Sequence, residues 1–581
     1  MKNMRLKGIL SGLFILGMIM NSQMVLAGFV EKNIEKTQVV NLNQSATDKG
    51  DSTWWRGERA KKQKAIDDYL KKNKKGWTWF DYHPVAISGI PAIMQRVLPD
   101  VFPEIWGPKS GYMEKTGLFA SSRANHVFPE GYSWGRGSKQ LTSIPLLNKL
   151  RMMISNFTCT ACHVGRVIDD QGKTHKLIGA PNTRMDVNAY RSLVTQTKDD
   201  NLSPTGKKGT YWNPGHGGSG KDRWKYENFM AAINKKKSGW LYNIKKYTPQ
   251  EKLDTAVFKK KGKDILKAIK ANLDFQVDNY KKYLPGVYGK SSHLLWGGAP
   301  GMLEPFAVAA AKLIAGGLPE SQAFGPGPAL SDIMSVWNQN SKVRPYGQWD
   351  GNIKTDFFRN LLVEIGVTGD PKTINYENAV ITTEFVKNLP SPPYIFDVNK
   401  KLAGQGKEIY MKSCNHCHGS YRLIPLKVIG TDPGRAKGLT PATRKALIGA
   451  TRVACRLGKK YDCEIPDSEI IPDRSKKPVY ASQPLDGIWA RAPFLHNGSV
   501  PTLYHLLVPS ERPRTFRRGN LHYDKNNVGF EWRKGGMTTY NTKLLGLSNV
   551  GHSDRKVFFG GIDFKKDAAK RNALIEYLKT L

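Results

Sequence analysis

Apolar positions recur with helical spacing in only a few stretches of this chain, and those stretches set the first expectations. Ile9 to Met20 is mostly apolar, preceded by Lys2, Arg5 and Lys7 and followed by Val25-Leu26-Ala27. A positive start, a short apolar middle and a small-residue end make the pattern of a secretory signal, expected over residues 1–27. The run is too short and too poorly flanked to be preferred as an anchor. No later stretch is apolar for the roughly 18 residues that a membrane span needs. Residues 28 to about 60 are polar and unpatterned, and read as a surface arm.

Three helices follow from periodicity. Glu251 to about Asn279 carries apolar residues near helical spacing among charges. Gly406, Tyr410 and Cys414 recur every four residues and share a face. Leu574, Leu578 and Leu581 stripe a closing helix from Ala568, expected to pack on the Gly406–Cys414 helix. Glycine (56) and proline (33) are plentiful elsewhere, which predicts much irregular backbone around these helices. Leu389-Pro390-Ser391-Pro392-Pro393 stops any helix, since proline clashes with the preceding turn and has no amide donor. It marks the expected boundary between domains 28–395 and 396–581.

At 581 residues the chain can bury more than one core. Its formal charge of +40 would suggest nucleic acid in a cytoplasmic protein. For an exported one, periplasmic or secreted, an anionic envelope surface or an acidic redox partner fits better, and no nucleic acid is expected. Runs such as Lys235-Lys236-Lys237 and Lys259-Lys260-Lys261 read as solvated faces.

Six cysteines are few for a disulfide scaffold of this size. Four of them lie in Cys159-Thr160-Ala161-Cys162-His163 and Cys414-Asn415-His416-Cys417-His418. Within one helical turn, cysteines three apart can both reach the vinyl groups of one haem, and the next histidine can bind its iron. Two covalently bound c-type haems are therefore expected. A shared four-cysteine zinc site is the competing reading. The adjacent histidines and the long separation of the pairs argue against it. Each iron then takes a sixth ligand or keeps an open face. The candidates are His496, His505, His522, His552 and Met537 for the second haem, and His175, His216, His293 and Met302 for the first. Cys455 and Cys463 are expected to form a local disulfide.

The run from Leu485 to Leu503, with Ala492-Pro493-Phe494-Leu495-His496-Asn497-Gly498-Ser499 at its centre, resembles the signature of the bacterial di-haem cytochrome c peroxidase superfamily. Its rubber-oxygenase-like branch looks closest. Pro513 to Phe530, Asn549-Val550-Gly551-His552, Gly179-Ala180-Pro181 to Asp186 and Gln348-Trp349-Asp350-Gly351 fit the same resemblance. The resemblance implies a mainly α fold, with two cytochrome-c-like haem domains and extensive irregular loops. It implies that His552 is the sixth ligand of the haem on Cys414, Cys417 and His418, which would relay electrons. The haem on Cys159, Cys162 and His163 would then be the reaction centre for oxygen or peroxide, with electrons supplied by a redox partner protein or small reductant. A tryptophan between the haems, with Trp489 the candidate, would assist transfer. Trp337 or Trp349 would stand over the open face, and His496 would be a hydrogen-bonding or structural residue. The chain departs from the peroxidase pattern after Gln348-Trp349-Asp350-Gly351-Asn352, where the next helix offers Asp356 instead of the expected glutamate. That departure puts ordinary peroxide reduction in doubt. The expected function is an exported di-haem oxidoreductase. A non-catalytic electron carrier is the alternative, and a binding role with vestigial haem is the third.

Overall fold

The computed structural model describes residues 53–86, 89–106, 111–121, 128–136, 144–198, 223–235, 249–283, 299–368, 371–458 and 461–581. Residues 1–27, His216 and His293 lie outside them. Helices dominate, and the strands are short. Met153–Phe157 is the middle strand of a three-stranded antiparallel sheet, with Ile90↔Ser155 on one side and Tyr132↔Phe157 on the other. The remaining strands pair in twos, among them Val164–Ile168 with Thr174–Ile178 in the register Val164↔Ile178. Among the described residues no helix is long and apolar enough to cross a membrane.

The predicted helices are present, and the first is longer than its pattern showed. It runs Pro249–Tyr283 and buries Phe258, Ile265, Ile269 and Leu273 against Ile93, Val97, Leu98 and Phe229. Lys400–Ser413 and Ala568–Leu578 cross as expected. Gly406 lies at the crossing, where an added Cβ would stand 1.9 Å from the Ala573 carbonyl oxygen and 2.8 Å from Tyr577 Cβ. One turn on, the Tyr410 and Tyr577 rings meet with centroids 5.1 Å apart. Because backbone faces this Cβ, a larger residue must push the helices apart. Gly406→Val is expected to destabilise the protein by about 3 kcal/mol. A urea midpoint equal to the wild type's would show that the helices do not need this close approach.

The surface arm needs correction beyond residue 52. Thr53–Lys72 is a helix, and its Trp55 is buried, donating Nε1–H to the Tyr394 carbonyl at 3.2 Å. The lysine-rich face masked the signal. The buried Trp55 and Ile66, with ties from Arg56 to Asp397, Arg59 to the Ile395 carbonyl, Lys62 Nζ to the Thr580 carbonyl and Tyr69 Oη to the Phe385 carbonyl, fix a helix that is otherwise largely polar.

Two main cores result. One gathers the long helix, the three-stranded sheet and Ala92–Val101. The other runs across position 395, joining Val164, Leu177 and Trp337 to Trp489, Tyr504, Leu574 and Leu578. The proline stretch at 389–393 ends the preceding helix at Lys387, as predicted. Leu389 is fully buried, its carbonyl accepts from Asn338 N–H, and the Pro392 carbonyl accepts from Trp489. Cys455 and Cys463 form the expected disulfide, which closes the end of the Pro441–Arg456 helix.

Candidate haem sites

Both pentads fold as a single helical turn. In the first, Thr160–His163, His163 N–H donates to the Cys159 carbonyl at 3.0 Å. Asn182 braces that turn, with its backbone N–H on the Cys162 carbonyl and its side chain on those of Ala161 and Gly117. In the second, Asn415–His418, His418 N–H donates to the Cys414 carbonyl at 3.1 Å, and Ser482 Oγ–H donates to that of Cys417 at 2.7 Å. The four cysteines are half-buried and outside any disulfide. Burial pushes the Cys162 and Cys414 thiols up to about 12, so they stand as neutral thiols.

The histidines are prepared alike. His163 Nδ1 lies 3.0 Å from the Met334 carbonyl, and His418 Nδ1 lies 2.8 Å from the Gln483 carbonyl. An Nδ1–H held by a carbonyl fixes the tautomer and leaves the Nε2 lone pair for a metal. Burial keeps both rings neutral, lowering His163 to about 4 and His418 below its usual value. Two distant segments thus share the same unusual local design.

His552 stands opposite His418, the ring centroids 6.4 Å apart and the planes at 46°. Two imidazole nitrogens each about 2 Å from a shared metal ion put the centroids a little over 6 Å apart. The pair therefore fits an axial histidine couple. His552 adopts φ +49°, the left-handed region that disfavours side chains, after Gly551 at φ +104°. Its N–H donates to the Ile429 carbonyl, its ring stacks on Phe558, and its Nδ1 is buried without a partner. Arg512 holds this loop through the carbonyls of Asn549 and Gly551, at 2.7 and 2.9 Å.

The other second-site candidates are engaged elsewhere. His496 is buried between Tyr480 Oη, 3.2 Å from Nε2, and Thr431 Oγ1, 3.5 Å from Nδ1, which makes it a hydrogen-bonding residue as expected. His505 bonds Thr502, His522 is exposed, and Met537 packs on Gly519. At the first site His175 pairs with Asp169 at the far end of its hairpin from His163, and Met302 packs in a separate cluster with Phe516 and Tyr540. Among the described residues, no other imidazole or aromatic ring meets His163.

The three candidate tryptophans sit in different surroundings. Trp489 is fully buried, boxed edge-on by Tyr394 and Tyr523, with Nε1–H on Pro392. Trp337 touches elements of both sites. Its Nε1–H donates to the Ile178 carbonyl at 2.8 Å, beside Gly179, whose N–H bonds the His163 carbonyl. Its far edge lies against Gly487, and the Arg491 guanidinium sits over its ring at 5.5 Å. Arg491 is close enough to His418 to help hold that ring neutral. Trp349 donates to the Asp332 carbonyl and accepts from Ala481 N–H, on the second site's side.

One residue was missed. Glu364, on the Asp356–Thr368 helix, is buried with Oε2 unpartnered, and it acts electrostatically on Cys159. The signal was a lone acid in Leu361-Leu362-Val363-Glu364-Ile365. Asp356, the acid the sequence did offer, lies 3.7 Å from Lys387 instead.

Paired cysteines one turn apart, each pair followed by a neutral histidine held through Nδ1, suit a c-type haem. Among the described residues no three His, Cys, Asp or Glu side chains converge as a metal-ion site, so the four-cysteine zinc reading has no geometry to rest on. Residues 479–517 match the family described as "RoxA-like, cytochrome c-like", and residues 75–163, which end on the first pentad's histidine, match a Y4iN-like domain. The first match links this chain to RoxA-related cytochromes c and a haem-based redox role. Two proteins of Sinorhizobium fredii (strain NBRC 101917 / NGR234), both described as uncharacterized, are similar to it. The protein y4iM is 34% identical over 287 residues, 44% of this chain and 65% of y4iM. The protein y4iJ is 33% identical over 238 residues, 32% of this chain and 39% of y4iJ. The chain thus spans less than two thirds of either relative.

Proposed function

We propose that the chain is an exported di-haem c-type cytochrome, periplasmic or secreted, that oxidises a substrate with oxygen or peroxide at the haem on Cys159 and Cys162. The haem on Cys414 and Cys417 serves as electron relay. The observation that carries this reading is the asymmetry of the two sites among the described residues: His418 faces His552, whereas no comparable described ring stands opposite His163. A haem with one histidine ligand supplies a place for oxygen or peroxide, and a haem with two supplies a closed electron carrier.

The protein's own contribution is to hold and connect. Met334 and Gln483 carbonyls orient the two proximal rings. Trp337, stacked under Arg491, bridges the elements that carry them and is the relay residue in this reading. Asp486 shares its carboxylate between Arg344 and Arg491, at 2.7 and 3.0 Å, and fixes the guanidinium over the ring. The strongly basic surface suits an acidic redox partner or anionic envelope.

The test is an absorption and electron paramagnetic resonance spectrum of the matured protein with and without cyanide or carbon monoxide. One haem is expected to bind the added ligand while the other stays low-spin. If both ignore it in both oxidation states, the catalytic reading fails and an electron carrier replaces it.

A further inference from the structure

Glu364 has no structural task that its surroundings reveal. It sits in mid-helix, 3% exposed, between Leu361, Leu362 and Ile365 of the same apolar surface. A carboxyl placed there is costly, because burial penalises the charged form and Oε2 finds no donor. Its helix packs on Tyr376–Lys387, with Asn360, one turn before Glu364, donating to Thr383 Oγ1 at 2.9 Å. On that second helix Asn378 and Thr382 face Cys159, the Asn378 Oδ1 lying 4.0 Å from Cys159 Sγ. Glu364 reaches the same sulfur electrostatically. An unpartnered acid thus lies in an otherwise apolar region, on the helix packed against the one whose Asn378 and Thr382 face the first pentad's leading cysteine.

The charged and titratable groups on the neighbouring elements are already occupied. On its own helix Asp356 faces Lys387, and Arg359 donates to the Gln339 carbonyl. Arg452, on the Pro441–Arg456 helix packed behind, pairs with Asp467, and His83 stacks on Trp79. Burial is the cause of the raised affinity of Glu364 for its proton, with none of these groups opposing it.

We propose that Glu364 is the proton-coupling residue of the N-terminal haem, binding one proton when that haem gains one electron and releasing it when the electron leaves. This rests on the reading that Cys159 and Cys162 carry a haem. A buried carboxylate is tolerated beside a centre with one more positive charge and disfavoured once that charge is removed. The electron comes from a one-electron donor, the proton from solvent, and the only bond formed is the carboxyl O–H. Glu364 is a positioning residue for charge, acting beside the attachment sulfur.

The experiment is a potentiometric titration of the holoprotein by dithionite across mildly acidic to mildly alkaline pH, each haem followed by its own paramagnetic resonance signal. Reduction takes up a proton, so the midpoint of the N-terminal haem should fall as pH rises, with a limiting slope of about 59 mV per unit for one electron and one proton. Glu364→Gln should flatten most of that slope, Glu364→Asp should restore part of it, and the second haem should titrate alike in all three. Redox-difference infrared spectra should show a protonated-carboxyl band on reduction that Glu364→Gln lacks. A wild-type midpoint independent of pH, or a slope unchanged in Glu364→Gln, overturns the proposal. Mass spectrometry of the Cys159–Cys162 peptide separates the two failures: a peptide without haem overturns the underlying reading, and a haem-bearing peptide with an unchanged slope overturns only the role of Glu364.

Discussion

Replacing His552 with alanine should convert the second haem from a low-spin, ligand-inert centre to one that binds carbon monoxide. Nearly all of its low-spin resonance signal should be lost, while the first haem keeps its spectrum. The expectation follows from how much structure serves one ring. Gly551 can take φ +104° because it lacks a Cβ, which would otherwise come within 2.5 Å of Thr431 Cβ. His552 then adopts φ +49°, a conformation costing about 1 kcal/mol or more outside glycine, and Arg512 holds it there. Phe558 and Phe559 position the imidazole from two sides. Alanine would keep the unfavourable backbone and lose the ring, so His552→Gly is the informative companion. It relieves the backbone and should give the same spectral change with better stability. A low-spin spectrum unchanged in both variants would remove His552 from the ligand set and leave the 6.4 Å approach of the rings without a function.

The helical turns of the two pentads were legible in the sequence because they are local. A pentad sets cysteine and histidine within one helical turn, so the chain itself does the positioning, and the structure adds only the carbonyl behind each histidine. The Gly406–Tyr410–Cys414 face and its partner helix were legible for the same reason, since a period of four survives in any surroundings. What escaped depended on contacts distant in sequence. The Thr53–Lys72 helix is polar nearly all round and is held by Trp55 against Tyr394, more than 300 residues away, which periodicity does not register. Trp337 and Trp489 look equivalent as lone tryptophans. Only the fold puts Trp337 against Gly179 and Gly487 at once and closes Trp489 into a box of tyrosines. Glu364 went unread because an acid was sought within a turn or two of Gly351. The helix carries a second and more deeply buried acid further along, on the side where Asn378 and Thr382 face Cys159.

Changing Cys159 and Cys162 together to alanine should halve the covalently bound haem, and the count separates the two chemistries that paired cysteines allow. A c-type haem is held by the two sulfurs of its own pentad, so the pair at 414 and 417 should keep its haem when the pair at 159 and 162 is lost. A shared zinc site needs all four thiolates, and the same change would then abolish metal binding altogether. The substitution is mild for the fold itself. The turn is held by backbone bonds from His163 to Cys159 and by Asn182, none of which uses a sulfur. Loss of stability beyond that of removing two sulfurs that pack on the cores, one of them facing Asn378, should come from the missing cofactor. Haem per chain, measured on the denatured protein so that only thioether-bound cofactor is counted, gives the answer directly. Two haems in the wild type and one in the double variant support independent sites. An unchanged count would exclude the first pentad as an attachment site. Loss of both would mean that the second site cannot mature without the first, which the core shared across position 395 would make possible.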